Sequence, residues 1–208
     1  MQKALRGALF GALGVVGGDP DVLALAREIE AESRSEGGAD PSLSTAAVSV
    51  LAAHGGPDEF TSFLAAKDAA RTPQEELRYL NGLVEFRSAP LLQRAVELAL
   101  TEVVRPQNVP AFLGRSLVNR DQGALAWSLL REHWEQVTAR LAPSTVIFVA
   151  YGVRSLTEPS VVQDVQAFFA EHDIPQSAIQ LRQILEAQRV NAAFAARAAA
   201  ELGAAFGA

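Results

Sequence analysis

Apolar residues recur at three- and four-residue spacing along nearly the whole chain, and this helical period constrains the fold more than any other feature. Proline and glycine interrupt the pattern at intervals and mark the ends of helices. No stretch rich in glycine and serine, or in proline, divides the chain. We therefore predict an all-α protein in which residues 1–208 form one helical-repeat domain.

Capping residues indicate where several helices begin. Asp19 and Thr72 each precede a proline that suits the first helical turn. Glu75 follows Thr72 at the three-residue spacing of a capping box. Between residues 33 and 42 the sequence predicts a long loop. The predicted helices lie near residues 2–16, 20–35, 41–54, 57–70, 73–86, 89–103, 109–118, 121–140, 144–155, 159–171 and 175–203.

The segment from Thr145 to Tyr151 competes with this all-helical reading. It is rich in β-branched residues, which favour strands. The sequence offers no second strand of similar quality to pair with it, and one strand cannot form a sheet. We therefore predict that the segment is a buried helix.

A weak repeat runs through the first half of the chain. Pro20, Pro57 and Pro90 each open a helix and are separated by 37 residues (20 to 57) and 33 residues (57 to 90). Spacings of this size with two helices per unit resemble HEAT or armadillo repeats. The predicted architecture is a superhelical stack of antiparallel helix pairs with a concave side.

Composition and charge exclude several classes of partner. The net charge is −6 and basic residues are scattered, so we expect no nucleic acid partner. No apolar run approaches the roughly 20 residues needed to span a bilayer, so we expect no membrane partner. The chain has no cysteine, which fits a reducing compartment, and we expect a cytoplasmic protein.

Histidines are too few and too dispersed to predict a metal site. A zinc peptidase needs two histidines four residues apart on one helix, with a glutamate beside the first. His54, His133 and His172 are far from one another and none belongs to such a motif. We therefore expect neither a catalytic residue nor a metal ligand in this chain. For His54, at a helix C-terminus, we predict hydrogen bonds to the last carbonyls of its helix.

The run His133-Trp134-Glu135 resembles a catalytic cluster only at first sight. Neighbouring residues on a helix point in different directions, so His133 and Glu135 do not converge. Trp134 lies seven residues after Trp127, with Leu130 between them on the same stripe. This spacing predicts that the three apolar residues belong to the core.

Arg105 admits two roles. Because Pro106 follows it, Arg105 should be extended and should leave the preceding helix. Its guanidinium could cap the carbonyls of that helix. Alternatively, it could point into the concavity and bind a carboxylate of a peptide or of another domain. Asn108 is the predicted N-cap of the next helix, with Pro110 in its first turn.

Three motifs carry a resemblance to a known family. They are Val104-Arg105-Pro106-Gln107-Asn108, Leu125-Ala126-Trp127 and Glu132-His133-Trp134-Glu135. Together they resemble the helical C-terminal domain of M1-family zinc aminopeptidases of the puromycin-sensitive and endoplasmic-reticulum type. The likeness spans nearly the whole chain, and further matching segments are Leu5 to Gly14, Thr72 to Glu76, Phe86-Arg87, Val165 to Phe169 and Asn191 to Phe194.

The resemblance implies a non-catalytic domain that walls the peptide chamber of an aminopeptidase and takes part in opening and closing. Its expected partners are a peptide substrate and the catalytic domain of the same polypeptide, which would bind the zinc ion. This chain itself is expected to hold no cofactor. By analogy with the family, the candidate chamber residues are Arg105, Gln107, Ser144 and Thr145.

The sequence departs from the family pattern at three positions. The family favours a polar or basic residue where Ile147 stands, aspartate at Asn108 and arginine at Ser44. These departures put an inherited substrate contact in question. The chain also resembles a family domain entered partway, with Met1 as an expression start. The first helix would then expose an apolar face, which is a candidate surface for self-association.

Two alternative functions follow from the same helical pattern. A stand-alone HEAT-like scaffold would bind a protein partner on its concave face. A helical domain that binds a small molecule would need a closed apolar pocket. An upstream coding sequence that contains a zinc-binding motif would favour the peptidase interpretation over both.

Overall fold

The computed structural model describes residues 2–35 and 38–207, and in this part of the chain it contains twelve α-helices and no β-strand. The all-α prediction is confirmed. The expectation about Met1, and residues 36 and 37 of the predicted loop, fall outside the described residues. The chain divides into two compact units, Met1–Leu92 and Gln93–Ala208. The single-domain interpretation stays a prediction.

After the first helix, the helices of the first unit begin at or next to prolines, as the sequence predicts. The first six helices are α1 (Gln2–Gly11), α2 (Pro20–Ser33), α3 (Pro41–His54), α4 (Pro57–Asp68), α5 (Pro73–Gly82) and α6 (Ala89–Leu98), the last of which crosses the boundary between the units. The Asp19 carboxylate accepts hydrogen bonds from the N–H groups of Asp21 and Val22. Thr72 accepts one from the N–H of Glu75 at 3.2 Å. Both predicted caps are confirmed.

Helix α3 is the central element of the first unit, and α1, α2 and α5 pack against it. Ala47, Val48 and Val50 on this helix are at most 1% exposed. The core continues into an aromatic cluster in which the ring of Phe63 contacts Tyr79 and Phe86, both with centroids 5.7 Å apart. Such tilted and edge-to-face contacts add to the free energy of burial.

The predicted helix 2–16 changes character after Gly11, because residues Ala12–Val16 form a π-helix. His54 does not bond the carbonyls of its own helix, so that prediction was wrong. At the end of α3, the N–H of Gly55 already donates a hydrogen bond to the carbonyl of Ala52. The His54 Nε2 instead lies 2.8 Å from the carbonyl oxygen of Gly14, within the π-helix.

The second unit contains α7 (Val109–Ser116), α8 (Gly123–Glu132), α9 (Trp134–Ala139), α10 (Val146–Ala150), α11 (Pro159–Glu171) and α12 (Ala178–Phe206). Short 3₁₀ turns occupy Pro143–Thr145, Tyr151–Ser155 and Pro175–Ser177. The segment that competed as a strand is therefore helical, as predicted. It is buried only in part, because Phe148 is 52% exposed and Tyr151 37%.

The core of the second unit is built around two tryptophans. Trp127, Leu130 and Trp134 are buried, which confirms the predicted stripe. Both indole rings pack against Phe168 and Phe169, with ring centroids between 5.2 and 5.8 Å apart. The indole Nε1 of Trp127 also donates to Asp164 at 2.6 Å, so its polar atom is satisfied.

Several helices end earlier than the sequence predicts. The predicted helix 121–140 breaks at His133, where ψ is 16°. The N–H of His133 still donates to the carbonyl of Leu129, and the carbonyl of His133 still accepts the N–H of Val137. The break therefore loses few hydrogen bonds and needs no proline or glycine. The predicted helices 73–86 and 89–103 end at Gly82 and Leu98 because tight turns follow, with N–H groups bonding carbonyls three residues earlier.

Two glycines allow α7 to approach the segment that carries α10. A Cβ atom built on Gly152 would lie 2.2 Å from the carbonyl oxygen of Gly114 and 2.7 Å from the Cβ of Leu117. A Cβ on Gly114 would lie 2.9 Å from the carbonyl oxygen of Phe148. The backbones are thus in contact at a distance that only glycine permits.

We expect Gly152→Ala to lower the free energy of unfolding by about 1–3 kcal/mol, because backbone atoms cannot yield to the added methyl group. Urea denaturation of the full chain measures this change. The matched control is Gly11→Ala, where the added Cβ has no neighbour within 4 Å. The control should gain up to about 1 kcal/mol from helix propensity. Equal stability of Gly152→Ala and wild type would contradict the close contact.

Tyr79 belongs to a buried polar network in the first unit. Its hydroxyl donates to the Oε1 of Glu30 at 2.9 Å, and Arg34 donates to the same oxygen from Nε at 2.6 Å. Burial raises the pKa of the Tyr79 hydroxyl above its ordinary value. The Tyr79 hydroxyl therefore keeps its proton to higher pH in the folded state than in the unfolded state.

We predict that Tyr79 makes stability sensitive to alkaline pH. A raised folded-state pKa contributes stability that is present below the usual value of about 10 and is lost as pH rises through the raised pKa. Urea unfolding between neutral and strongly alkaline pH should show this loss in wild type and less of it in Tyr79→Phe. Tyr151 is the other tyrosine of the chain. Tyr151→Phe keeps Tyr79, so it should lose as much stability at alkaline pH as wild type does. If Tyr79→Phe lost the same amount, Tyr79 would not be the source of the pH sensitivity.

Candidate functional site

The candidate chamber residues lie on two segments of the second unit. Arg105 and Gln107 are exposed on the loop between α6 and α7. Ser144 is exposed and Thr145 is half-buried in the 3₁₀ turn Pro143–Thr145, directly before α10. The two pairs are therefore accessible, although they come from parts of the sequence about forty residues apart.

Arg140 connects these two segments. Its Nη1 donates to the carbonyl oxygens of Ala99 at 2.6 Å and Thr101 at 2.7 Å, and its Nη2 donates to that of Val104 at 3.2 Å. The Arg140 side chain is only 16% exposed. Val104 directly precedes Arg105, and Arg140 lies three residues before the turn Pro143–Thr145. One guanidinium therefore holds both segments side by side.

The carbonyls that follow α6 are therefore bound by Arg140. The sequence analysis gave Arg105 two alternative roles, capping the carbonyls at this helix end or binding a carboxylate. Both roles stay predictions. The backbone carbonyl of Arg105 accepts the N–H of Asn108 at 2.8 Å and that of Val109 at 3.3 Å. Arg105 thus forms the turn that leads into α7.

Asn108 directly precedes α7, and Pro110 lies in the first turn, as predicted. The side chain of Asn108 nevertheless makes no capping hydrogen bond, so that part of the prediction was wrong. The reason is the backbone of Asn108, which is helical at φ −94° and ψ −20°. An N-cap side chain reaches the following N–H groups from an extended backbone.

The turn before α10 presents hydroxyl groups. The N–H and the Oγ1 of Thr145 each donate to the carbonyl oxygen of Ala142 at 2.8 Å. The lone pairs of this hydroxyl can still accept a hydrogen bond from a ligand. Ile147, where the family favours a polar residue, is 4% exposed and belongs to the core.

An aromatic surface next to this turn was not foreseen from the sequence. Phe148 is 52% exposed, and its ring stacks on that of Tyr151 at 6.2 Å with 18° between the planes. The guanidinium of Arg154 lies 4.9 Å from the centre of the Tyr151 ring. These residues recur every three positions, a signal that could have predicted one shared surface. Such a surface can hold apolar or aromatic side chains.

A polar cavity of about 400 Å³ lies elsewhere in the second unit. Arg120, Asp121 and Glu158 contribute charged groups to its lining, together with the hydroxyls of Ser155 and Thr157. The lining thus combines one guanidinium with two carboxylates and two hydroxyls, groups that suit a polar ligand.

Within residues 2–35 and 38–207, no three histidine, aspartate or glutamate side chains are grouped so that they could hold a metal ion. Over the same residues, no helix combines the length and the apolar character needed to cross a membrane.

Comparison with known proteins identifies relatives. The family described as the ERAP1-like C-terminal domain matches residues 1–190. Aminopeptidase M1 of Arabidopsis thaliana is 27% identical over 199 residues, which cover 92% of this chain and 22% of the relative. Aminopeptidase M1-B of Oryza sativa subsp. japonica is 32% identical over 122 residues, covering 57% of this chain and 14% of the relative. The chain thus spans about a fifth or less of these relatives.

We expect Arg140→Ala to lower the free energy of unfolding by about 1.5–3 kcal/mol, because the loop carbonyls lose charged hydrogen-bond donors. Arg140→Lys should recover only part of this loss, since an ammonium group lacks the planar fork. Chemical denaturation measures both variants.

The matched control is Arg131→Ala, which removes a half-exposed ion pair with Asp164. That pair should contribute at most about 1 kcal/mol. If Arg131→Ala were as destabilising as Arg140→Ala, the special role of Arg140 in holding the loop would be disproved.

Proposed function

The chain belongs to the ERAP1-like C-terminal domain family, and from this premise we propose that it is the non-catalytic, substrate-enclosing domain of an M1-type aminopeptidase. The observation that carries the proposal is the match over residues 1–190, together with relatives that are named aminopeptidases and are several times longer. A domain of this kind acts through its surfaces, because the reaction takes place on another part of the polypeptide.

In this proposal the zinc ion is bound by the catalytic domain of the same polypeptide. The helical domain closes the space around a bound peptide and keeps bulk water away, which strengthens electrostatic interactions inside the chamber. Opening and closing of the domain would admit the peptide and release products, as lids do in other enzymes. We place the protein in the cytoplasm, which fits a chain without cysteine.

We propose that the surface around Arg105, Gln107, Ser144 and Thr145 faces the peptide. A guanidinium suits a peptide carboxylate because it offers two parallel donors. Amide and hydroxyl groups suit the peptide backbone, since each can donate and accept. The neighbouring Phe148 ring can contact apolar side chains of the peptide. The hydrogen bonds of Arg140 support this proposal because they hold the two segments together.

The first helix offers a surface for the rest of the polypeptide. The exposed apolar residues are Leu5 and Leu9 on α1 and Leu13 and Val16 on the π-helix that follows it, spaced by three or four residues and 53–66% exposed. Residues at this spacing lie on one face of a helix. We propose that the catalytic domain, or another preceding part of the same polypeptide, packs on this face.

We predict that Arg105→Ala in the full-length enzyme lowers kcat/KM for a peptide of about ten residues, on the order of tenfold, because a carboxylate contact is lost. Turnover of a single aminoacyl amide should stay unchanged, since this substrate does not reach the chamber wall. Steady-state kinetics on both substrates provides the measurement. Arg27→Ala, which removes an exposed arginine of α2 in the first unit, is the control.

Two outcomes would contradict the proposal. If Arg105→Ala lowers thermal stability while peptide kinetics stay the same, Arg105 caps the helix and does not bind substrate. If the isolated chain, supplied with zinc, hydrolyses aminoacyl amides and keeps this activity after repurification, the domain is itself catalytic.

A further inference from the structure

The long final helix has an outward face that its own unit leaves uncovered. Helix α12 runs for 29 residues, and Leu181, Ile184 and Gln188 bury its inner face. On the opposite side, Ile179 is 63% exposed, Val190 57% and Phe194 64%. We propose that this outward face pairs with the same face of a second copy of the chain, with the two helices running in opposite directions.

The order of charges on this face selects the antiparallel arrangement. Arg182 and Glu186 lie on one side of Val190, and Arg197 and Glu201 lie on the other, so the signs alternate along the helix. The helical period places all of them on the face that carries Val190 and Phe194.

The two oppositely charged pairs share one midpoint, between residues 191 and 192. When a second helix is reversed about this midpoint, Arg182 lies opposite Glu201 and Glu186 lies opposite Arg197, in both directions. A parallel pair in register would place like charges together. Opposite charges across an interface fix register and exclude other arrangements. Glu186 also pairs with Arg189 of its own helix at 2.6 Å, and a carboxylate can accept both partners.

A shallow depression on the same face matches a side chain of the second copy. It has a volume of about 470 Å³ and is lined by Arg182, Gln183, Glu186, Ala187, Val190 and Asn191. In the antiparallel register, Phe194 of the second copy lies opposite position 189 and therefore over this depression. By symmetry two such insertions form around the midpoint. An aromatic anchor in a pocket, flanked by charges, is typical of the residues that dominate binding energy.

The surface is distinct from the one assigned to peptide enclosure. Phe194, Arg197 and Glu201 lie beyond residue 190, where the family match ends. The contact is confined to one helix, so its area is at the low end of specific interfaces, near roughly 1,000 Å² in total. We therefore expect a dimer of micromolar affinity whose dissociation constant rises with salt, since the ion pairs are exposed.

Sedimentation equilibrium of the full chain at low salt tests the proposal. Wild type should form a dimer. The double variants Arg182→Glu with Arg197→Glu, and Glu186→Arg with Glu201→Arg, should each raise the dissociation constant at least about tenfold, because like charges then face one another. An equimolar mixture of the two variants should restore a dimer. Circular dichroism checks that each variant keeps its helical content.

Single substitutions separate this surface from the exposed face of α1. Phe194→Ser should weaken the dimer at least about tenfold, because an anchor side chain is lost. Leu5→Ser should leave it unchanged. A monomer at every concentration would overturn the proposal. So would a dimer that survives both charge reversals, or one that only Leu5→Ser dissolves, which would assign association to α1.

Discussion

The backbone contact between Gly114 and Gly152 determines how the second unit is assembled. A side chain at either position would meet backbone oxygen at 2.9 Å or less. This contact brings α7 against the segment of residues 143–155, and both elements border the candidate surface. The turn that contains Arg105 leads into α7, and Ser144 stands at the start of the other segment. Protein interiors are close-packed, so a constraint at one contact fixes the positions of neighbouring elements. The contact between Gly114 and Gly152 therefore helps to set the geometry of the candidate surface.

Local signals predicted most of the fold. Prolines and capping residues marked helix starts because their effect depends on a few neighbouring atoms, and Asp19 and Thr72 behave as expected. The seven-residue spacing of Trp127 and Trp134 predicted the core for the same reason. The predictions failed where a distant partner decides. His54 bonds a carbonyl forty residues away. The break at His133 loses few hydrogen bonds, so it occurs without a proline or glycine to mark it.

The candidate surface shows the same division. Arg105, Gln107, Ser144 and Thr145 came from a resemblance to a family, and the sequence alone could not relate the two pairs. What relates them is Arg140, whose acceptors lie 36 to 41 residues earlier in the chain. Arginine is suited to this role because its fork of donors can bind several backbone carbonyls at once. Nothing in a sequence distinguishes such an arginine from one in a surface ion pair, such as Arg131.

Exposed apolar residues are common on protein surfaces and by themselves imply little. The outward face of α12 differs because its apolar residues lie among two oppositely charged pairs that share one midpoint. Apolar contact supplies most of the free energy of association but has no preferred direction. The alternating signs of Arg182, Glu186, Arg197 and Glu201 supply the direction, since reversal of the helix exchanges every positive position with a negative one. The exposed leucines of α1 have no such alternation, since Gln2–Gly11 carries Lys3 and Arg6 but no acidic residue, and we propose a larger domain of the same polypeptide as the partner of that face. The distribution of charge thus distinguishes the exposed face of α1 from the outward face of α12, and it is the reason why we propose different partners for them.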